Sequence, residues 1–218
     1  MNQITTEEYL ETIGALAERE NPVSTSSIAQ SMGVSQASVS EMLRRLSEKK
    51  LVDYVPYGGA TLTDEGFRKF LHLTRRHRLW EVFLNRYLGI DWADVYEHAC
   101  NLEHTTSDIV AERLDIFLGT PSVCPHGCPI PDRNLQYDIL PAVTLASLTP
   151  GTSATIARII VERDSNFLRY VSSLGITPGC HVQILDKAEF DGTLTVQIAG
   201  DTKAIGRDAA SLIMTRPL

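Results

Sequence analysis

Three short stretches of this 218-residue chain carry residues able to hold a divalent cation, each at helical spacing. Glu8 and Glu11 are three apart, His77 and Glu81 four apart, and Cys100, Glu103 and His104 stand at i, i+3 and i+4. On a helix these spacings turn the side chains to one side. One such pair is common on a solvated helix, and a lone cysteine is more often core than ligand. On three helices expected to pack, the set reads as a site for two cations. Mixed carboxylate, imidazole and thiolate donors suit a first-row divalent ion such as Mn²⁺ or Fe²⁺. A carboxylate di-metal site could also do redox or hydrolytic work. No separate nucleophile or general-base constellation stands beside it, which argues against an enzyme.

The elements that must position these residues begin with a DNA-reading motif. Residues 5–20 give a helix with Thr5 or Thr6 as N-cap and Tyr9, Leu10, Ile13, Leu16 and Ala17 on its inward face. Residues 24–33 read as a short helix stopped by Gly33. Ser35 then caps a second helix with Val39, Met42, Leu43 and Leu46 facing in. Residues 51–55 and 61–63 alternate as two strands around the turn Tyr57-Gly58-Gly59-Ala60. This order is that of a winged helix-turn-helix. Its second helix would enter the major groove N-terminus first. Ser35, Gln36, Ala37, Ser38 and Ser40 are small or polar there, and Gln36 can bond adenine. Arg44, Arg45, Lys49 and Lys50 would meet phosphates, and Tyr57 on the wing could touch the backbone.

Composition is that of an ordinary globular protein, at 43% hydrophobic and 22% charged residues. The first 19 residues carry carboxylates and no apolar run, so they do not read as a signal peptide. No stretch is apolar enough to span a membrane, and a cytoplasmic protein is expected. The formal charge of −7 lends no help to DNA binding. The excess sits in the middle, where residues 76–150 hold 5 Lys+Arg against 10 Asp+Glu, and bound cations would offset it.

A long helix is expected from Asp64 to about Tyr87, and one or two more over 91–118 with Val95, Ala99, Leu102, Ile109, Leu114 and Phe117 inward. The Pro-rich stretch 120–150 reads as a tether rather than a packed element. Beyond it, period-two segments at 154–159, 181–185, 193–198 and 210–215, with turns at Gly179, Gly192, Gly200 and Gly206, predict a small β-barrel. His98, His72, His181, Cys128 and Cys180 read as bystanders. Cys124 and Cys128 are half a zinc knuckle without a second pair.

The winged helix-turn-helix, the segments Arg75–Leu79 and Glu97–His104, and the loop Cys124-Pro125-His126-Gly127 resemble the diphtheria toxin repressor/manganese transport regulator family. Leu168–Tyr170 and Leu174–Gly179 resemble its SH3-like, ferrous transport A-type module. The likeness covers essentially the whole chain. It implies a mainly α protein with small β parts: a winged helix-turn-helix (1–73), a helical dimerisation and metal-binding domain (74–140) and an SH3-like β-barrel (141–218). It implies a homodimeric, metal-activated repressor of metal-uptake genes that binds a duplex operator. Glu8, Cys100, Glu103 and His104 would form the primary regulatory site; His77 and Glu81, completed by Cys124 and His126, the second. Glu162 or Asp164 of the SH3-like module, and Glu11, are further candidates. Glu8 stands where the iron branch has Met and the manganese branch Asp, whereas Cys100 is as in the iron branch. Tyr96 replaces a His of the iron branch's second site. The set leans to Mn²⁺, two ions per subunit, with Fe²⁺ as the alternative and Co²⁺ or Zn²⁺ able to bind in vitro.

Overall fold

The computed structural model describes residues 3–136, 140–161 and 163–218, with side chains from residue 6 onward and without that of Pro217. The chain divides into two units, Met1–Arg76 with Arg133–Leu135, and His77–Asp132 with Gln136–Leu218.

The first unit contains helices α1 (Gln3–Leu16), α2 (Thr25–Met32) and α3 (Gln36–Glu48), strands β1 (Val52–Val55) and β2 (Gly59–Leu62), and the first turns of α4 (Asp64–Leu88). Leu10, Ile13, Ile28, Val39, Leu43 and Leu46 are fully buried, and each contributes roughly 1.5–3 kcal/mol by leaving water. Two serines start the reading helices. Ser24 Oγ accepts from Ser27 N at 3.1 Å, and Ser35 Oγ accepts from Ser38 N at 3.1 Å. Gly33 closes α2 with φ 65°, the left-handed value that lets its N–H reach Ala29 O. β1 and β2 pair antiparallel from Val52↔Leu62 to Val55↔Gly59 and make the wing. One expectation fails. α1 begins at Gln3, so Thr5 and Thr6 lie inside it and do not cap it. A threonine inside a helix costs only a fraction of a kcal/mol, so its capping preference does not decide where the helix starts.

The second unit joins a helical layer to a β module. The remainder of α4 packs with α5 (Val95–Glu103) and α6 (Asp108–Phe117). The Trp80 indole N–H donates to Thr106 Oγ1 at 2.7 Å, and that hydroxyl donates to Leu102 O at 2.7 Å, tying α4 to the α5–α6 turn. Ile109 and Phe117 were expected inward, yet they are 74% and 58% exposed. Helical periodicity marks an apolar stripe without saying whether it covers this chain's own core.

The Pro-rich stretch is also not a simple tether. Cys124, His126, Cys128 and Ile130 are buried in a turn closed by Cys124 N→Cys128 O at 2.9 Å and Ile130 N→Ser122 O at 2.8 Å. Proline forbids helix and central strand but not burial, and here the turn's own main chain supplies its hydrogen bonds.

The β module holds β3 (Val143–Thr144), β4 (Ser153–Ile159), α7 (Ser165–Ser173), β5 (His181–Lys187), β6 (Leu194–Ile198), β7 (Asp201–Ile205), α8 (Arg207–Ser211) and β8 (Ile213–Pro217). The six strands run antiparallel in the order β3-β8-β4-β5-β6-β7, an SH3-like sheet around Ile156, Ile159, Leu168, Ile176, Ile184 and Val196. Residues 210–215, expected as one strand, are instead the end of α8 followed by β8, and Gly206 is the helix N-cap rather than a strand turn. β4 carries an irregularity between Ile156 and Arg158 in its pairing with β8. That bulge lies where the module meets the Cys124–Cys128 turn.

Candidate metal centre

α4 supplies His77 and Glu81 one turn apart, both buried. α5 supplies Cys100 and the fully buried Glu103, and His104 is its C-cap residue. The turn after α6 supplies Cys124 and His126. Within the second unit these residues gather into two triads, His77–Cys100–Glu103 and Glu81–Cys124–His126, each with ligand atoms within 4.8 Å of one another. The triads are adjacent because His77 touches both. Its Nδ1 lies 2.8 Å from Glu103 Oε2 and its Nε2 lies 3.2 Å from Glu81 Oε1. Glu81 Oε1 is in turn 3.3 Å from His126 Nδ1, and Cys124 Sγ is 3.8 Å from the same nitrogen. His104 Nε2 lies 3.4 Å from Glu103 Oε1. The family resemblance implied a set of His77 with Glu81 and the loop residues; the structure also groups His77 with Cys100 and Glu103.

Charge at this centre is only partly compensated. Burial works against a charge on His77. The Glu81 carboxylate, with hydrogen bonds from the ring to Cys100, Glu103 and Glu81, outweighs it, so His77 keeps its proton well above the usual histidine range. Burial likewise works against ionised Glu81, but the His77 charge and hydrogen bonds from His126 and His77 hold its carboxyl below the usual carboxylate range. Even so, Glu81 Oε2 and Glu103 Oε1 are buried without a hydrogen bond. Buried carboxylate oxygens in that state cost free energy that a cation would recover. The donor set and the two orphaned oxygens therefore fit a bound divalent metal. To ligate, His77 must release its proton.

Glu8 is exposed and Glu11 half-buried on α1 of the first unit. Asp164 is exposed and caps α7, accepting from Phe167 N at 3.0 Å. Glu162 lies outside the described residues. Cys128 and Cys180 form no disulfide. Three further residues border the centre, of which the sequence marked only Tyr96, as the replacement of a ligand. Trp92 takes a hydrogen bond from His126 on its carbonyl, Tyr96 packs its ring 4.6 Å from that of His77, and Arg163 lies 5.3 Å from the Tyr96 ring centre. Trp92 lies in a short link between helices, where spacing carries no signal. Tyr96 differs from a ligand only in chemistry.

In the first unit, Gln36, Ala37 and Ser38 are exposed at the start of α3, with Ser40 half-buried. The Ser35 oxygen is engaged as the cap. Arg44 and Lys49 are exposed along the same helix and its end, whereas Arg45 pairs with Glu41. Tyr57 is fully exposed on the wing at φ 62°.

A winged helix-turn-helix with small residues at the head of its reading helix, followed by a buried ligand cluster and an SH3-like module, defines a metal-dependent DNA-binding regulator. Residues 3–60 match the iron dependent repressor N-terminal DNA binding domain, 63–132 its metal binding and dimerisation domain, and 143–217 the FeoA domain. The diphtheria toxin repressor of Corynebacterium efficiens is 32% identical over 192 residues, covering 84% of each chain. The iron-dependent repressor IdeR of Mycobacterium tuberculosis is 29% identical over 214 residues, covering 92% of each. Among solved structures, a manganese-dependent transcriptional repressor in complex with manganese superimposes with a TM-score of 0.91 at 39% identity, over 98% of this chain and 100% of that one. The manganese regulator SloR gives 0.82 at 34%, over 98% of each. The chain belongs to the diphtheria toxin repressor family of metal-dependent transcriptional repressors. It is therefore a DNA-binding regulator and not an enzyme. Among the described residues no helix is long and apolar enough to cross a membrane.

Proposed function

We propose that this regulator responds to manganese, binds two ions per subunit and represses metal-uptake genes in the cytoplasm as an operator-bound homodimer. The observation that carries the metal half is the pair of adjacent triads, buried except for the half-buried Cys100, with orphaned oxygens on Glu81 and Glu103. The ligand sets expected from the sequence remain the proposal: Glu8, Cys100, Glu103 and His104 for one ion, and His77, Glu81, Cys124 and His126 for the other. Oxygen-rich ligation favours Mn²⁺. The Cys100 and Cys124 thiols favour the second reading, an iron-responsive repressor of the same family. Gel shifts with EDTA, with Mn²⁺ and, anaerobically, with Fe²⁺ separate the two. Retardation by Mn²⁺ at low micromolar concentration supports the first reading. Retardation by Fe²⁺ at concentrations where Mn²⁺ does nothing replaces it with the second.

The reading surface is α3. Gln36→Ala is expected to weaken operator binding by about 1–3 kcal/mol and relax base preference at one position. Arg44→Ala is expected to weaken binding evenly across sequences and to lower the salt slope by about 1. Fluorescence anisotropy against operator and scrambled duplexes over a salt series checks both, and an Arg44→Ala loss confined to one sequence contradicts the assignment.

The dimer face is read from exposed apolar residues at the end of α4 and on α6. Tyr87, Ile109, Ile116 and Phe117 are exposed, and the Tyr87 and Phe117 rings lie 4.9 Å apart. A monomer seldom leaves so many large apolar side chains together in water. Ile109→Glu is expected to shift the protein from dimer to monomer in sedimentation velocity; a variant that stays dimeric removes this face from consideration.

A further inference from the structure

His126 has two ring nitrogens, and its surroundings decide which one can meet a cation. Nε2 lies 2.8 Å from the main-chain carbonyl of Trp92. A carbonyl only accepts, so Nε2 carries the hydrogen whether the ring is neutral or charged. Nδ1 is the nitrogen turned towards Glu81 Oε1 and Cys124 Sγ, at 3.3 and 3.8 Å.

The same residue is held from the main-chain side. His126 O accepts from Ile159 N at 3.0 Å, and Cys128 Sγ donates to Ile159 O at 3.7 Å. Both partners belong to the last residue of β4. The Trp92 segment is anchored in that module too. Ala93 is part of the module's buried core, Trp92 packs on it, and Asp94 pairs with Arg169 of α7. The Trp92 ring centre lies 5.5 Å from that of His126. The SH3-like module thus grips His126 at its ring, through Trp92, and at its backbone, through β4.

We propose that the Trp92 carbonyl, seated on the SH3-like module, is a positioning group that makes Nδ1 the coordinating nitrogen of His126. The proposal rests on the reading of His126 as a metal ligand. Outer partners of this kind orient a ligating histidine and fix its tautomer, and their loss commonly weakens metal binding 10–100-fold. The module therefore serves the metal centre without needing to donate a ligand side chain.

The test is NMR of ¹⁵N-histidine-labelled protein titrated with ¹¹³Cd²⁺, with His126→Gln assigning the His126 signals. The expected result is an Nε2-protonated ring whose Nδ1 couples to ¹¹³Cd. Coupling through Nε2 overturns the positioning proposal and leaves His126 a ligand. A His126 signal indifferent to Cd²⁺ overturns the ligand reading itself. Trp92→Ala, checked for fold by circular dichroism, is expected to weaken Cd²⁺ binding read at His126 by about 10–100-fold, with Trp92→Phe close to the parent. Unchanged Cd²⁺ affinity and an unchanged tautomer in a folded Trp92→Ala protein also overturn the proposal.

Discussion

Replacing Glu103 with glutamine is expected to abolish metal-dependent operator binding while the protein remains a folded dimer. Glu103 is fully buried, and its two oxygens have different duties. Oε2 meets His77 Nδ1 at 2.8 Å, and Oε1 is buried with no hydrogen bond. Glutamine has the same shape and keeps an oxygen for the histidine, so the metal-free fold is expected to lose only about 1–3 kcal/mol. It removes a negative charge and an anionic donor from a centre whose other proposed ligands are imidazoles, thiols and the carboxylates of Glu8 and Glu81. A divalent ion then loses much of its Coulombic return for leaving water. Affinity for the operator should fall towards the non-specific level, by about 10³-fold or more. His104→Ala should behave similarly, because His104 Nε2 stands 3.4 Å from the same carboxylate. The measurements are a Mn²⁺ titration of operator anisotropy and light scattering for the dimer. Operator affinity that still climbs with Mn²⁺ in Glu103→Gln sinks the assignment.

Gly127→Ala should be the most damaging substitution of a single hydrogen by a methyl group in this chain's second unit. Gly127 has φ 81°, and an added Cβ would stand 2.1 Å from Ala157 O and 3.0 Å from Arg158 Cα. Both neighbours are main-chain atoms of β4, so no side-chain rotation relieves the overlap. Left-handed backbone costs an alanine about 1–2 kcal/mol before any clash. Together the two effects should cost roughly 3–5 kcal/mol or release the turn from β4. Release would carry away Cys124 and His126 and reduce bound Cd²⁺ from the proposed two ions per subunit to one. Gly89→Ala is the control, because Gly89 also has positive φ, 67°, but nothing lies within 4 Å of its added Cβ. A thermal melt and equilibrium dialysis read both effects. If Gly127→Ala and Gly89→Ala melt together and bind equally, the close approach of the turn to β4 is not what holds the site.

Much of the helical framework was legible from residue order. Ser24 and Ser35 cap α2 and α3, Gly33 stops α2, and Val39, Met42, Leu43 and Leu46 are the buried face of α3. Each feature is set by interactions within about four residues, so local sequence suffices to find it. The start of α1 and the α8–β8 boundary were misread. Threonine has a weak preference either way, and a stretch of five helical residues is too short for periodicity to distinguish it from a strand. The apolar stripe of α6 was visible as residue types, but the exposure of Ile109 and Phe117 was not.

For the metal centre, the sequence by itself determined which donors exist and which share a helix face. The pairs His77/Glu81 and Cys100/Glu103 follow from a helical repeat of 3.6 residues. Tertiary structure alone decided that His77 stands between two triads, because that depends on how α4, α5 and the Cys124 turn are packed. It also decided that a Pro-rich stretch is buried, that the Trp92 carbonyl meets His126 Nε2, and that β4 grips the turn beside Gly127. Main-chain carbonyls carry no residue identity, and contacts across more than thirty residues leave no periodicity, so only the fold reveals them.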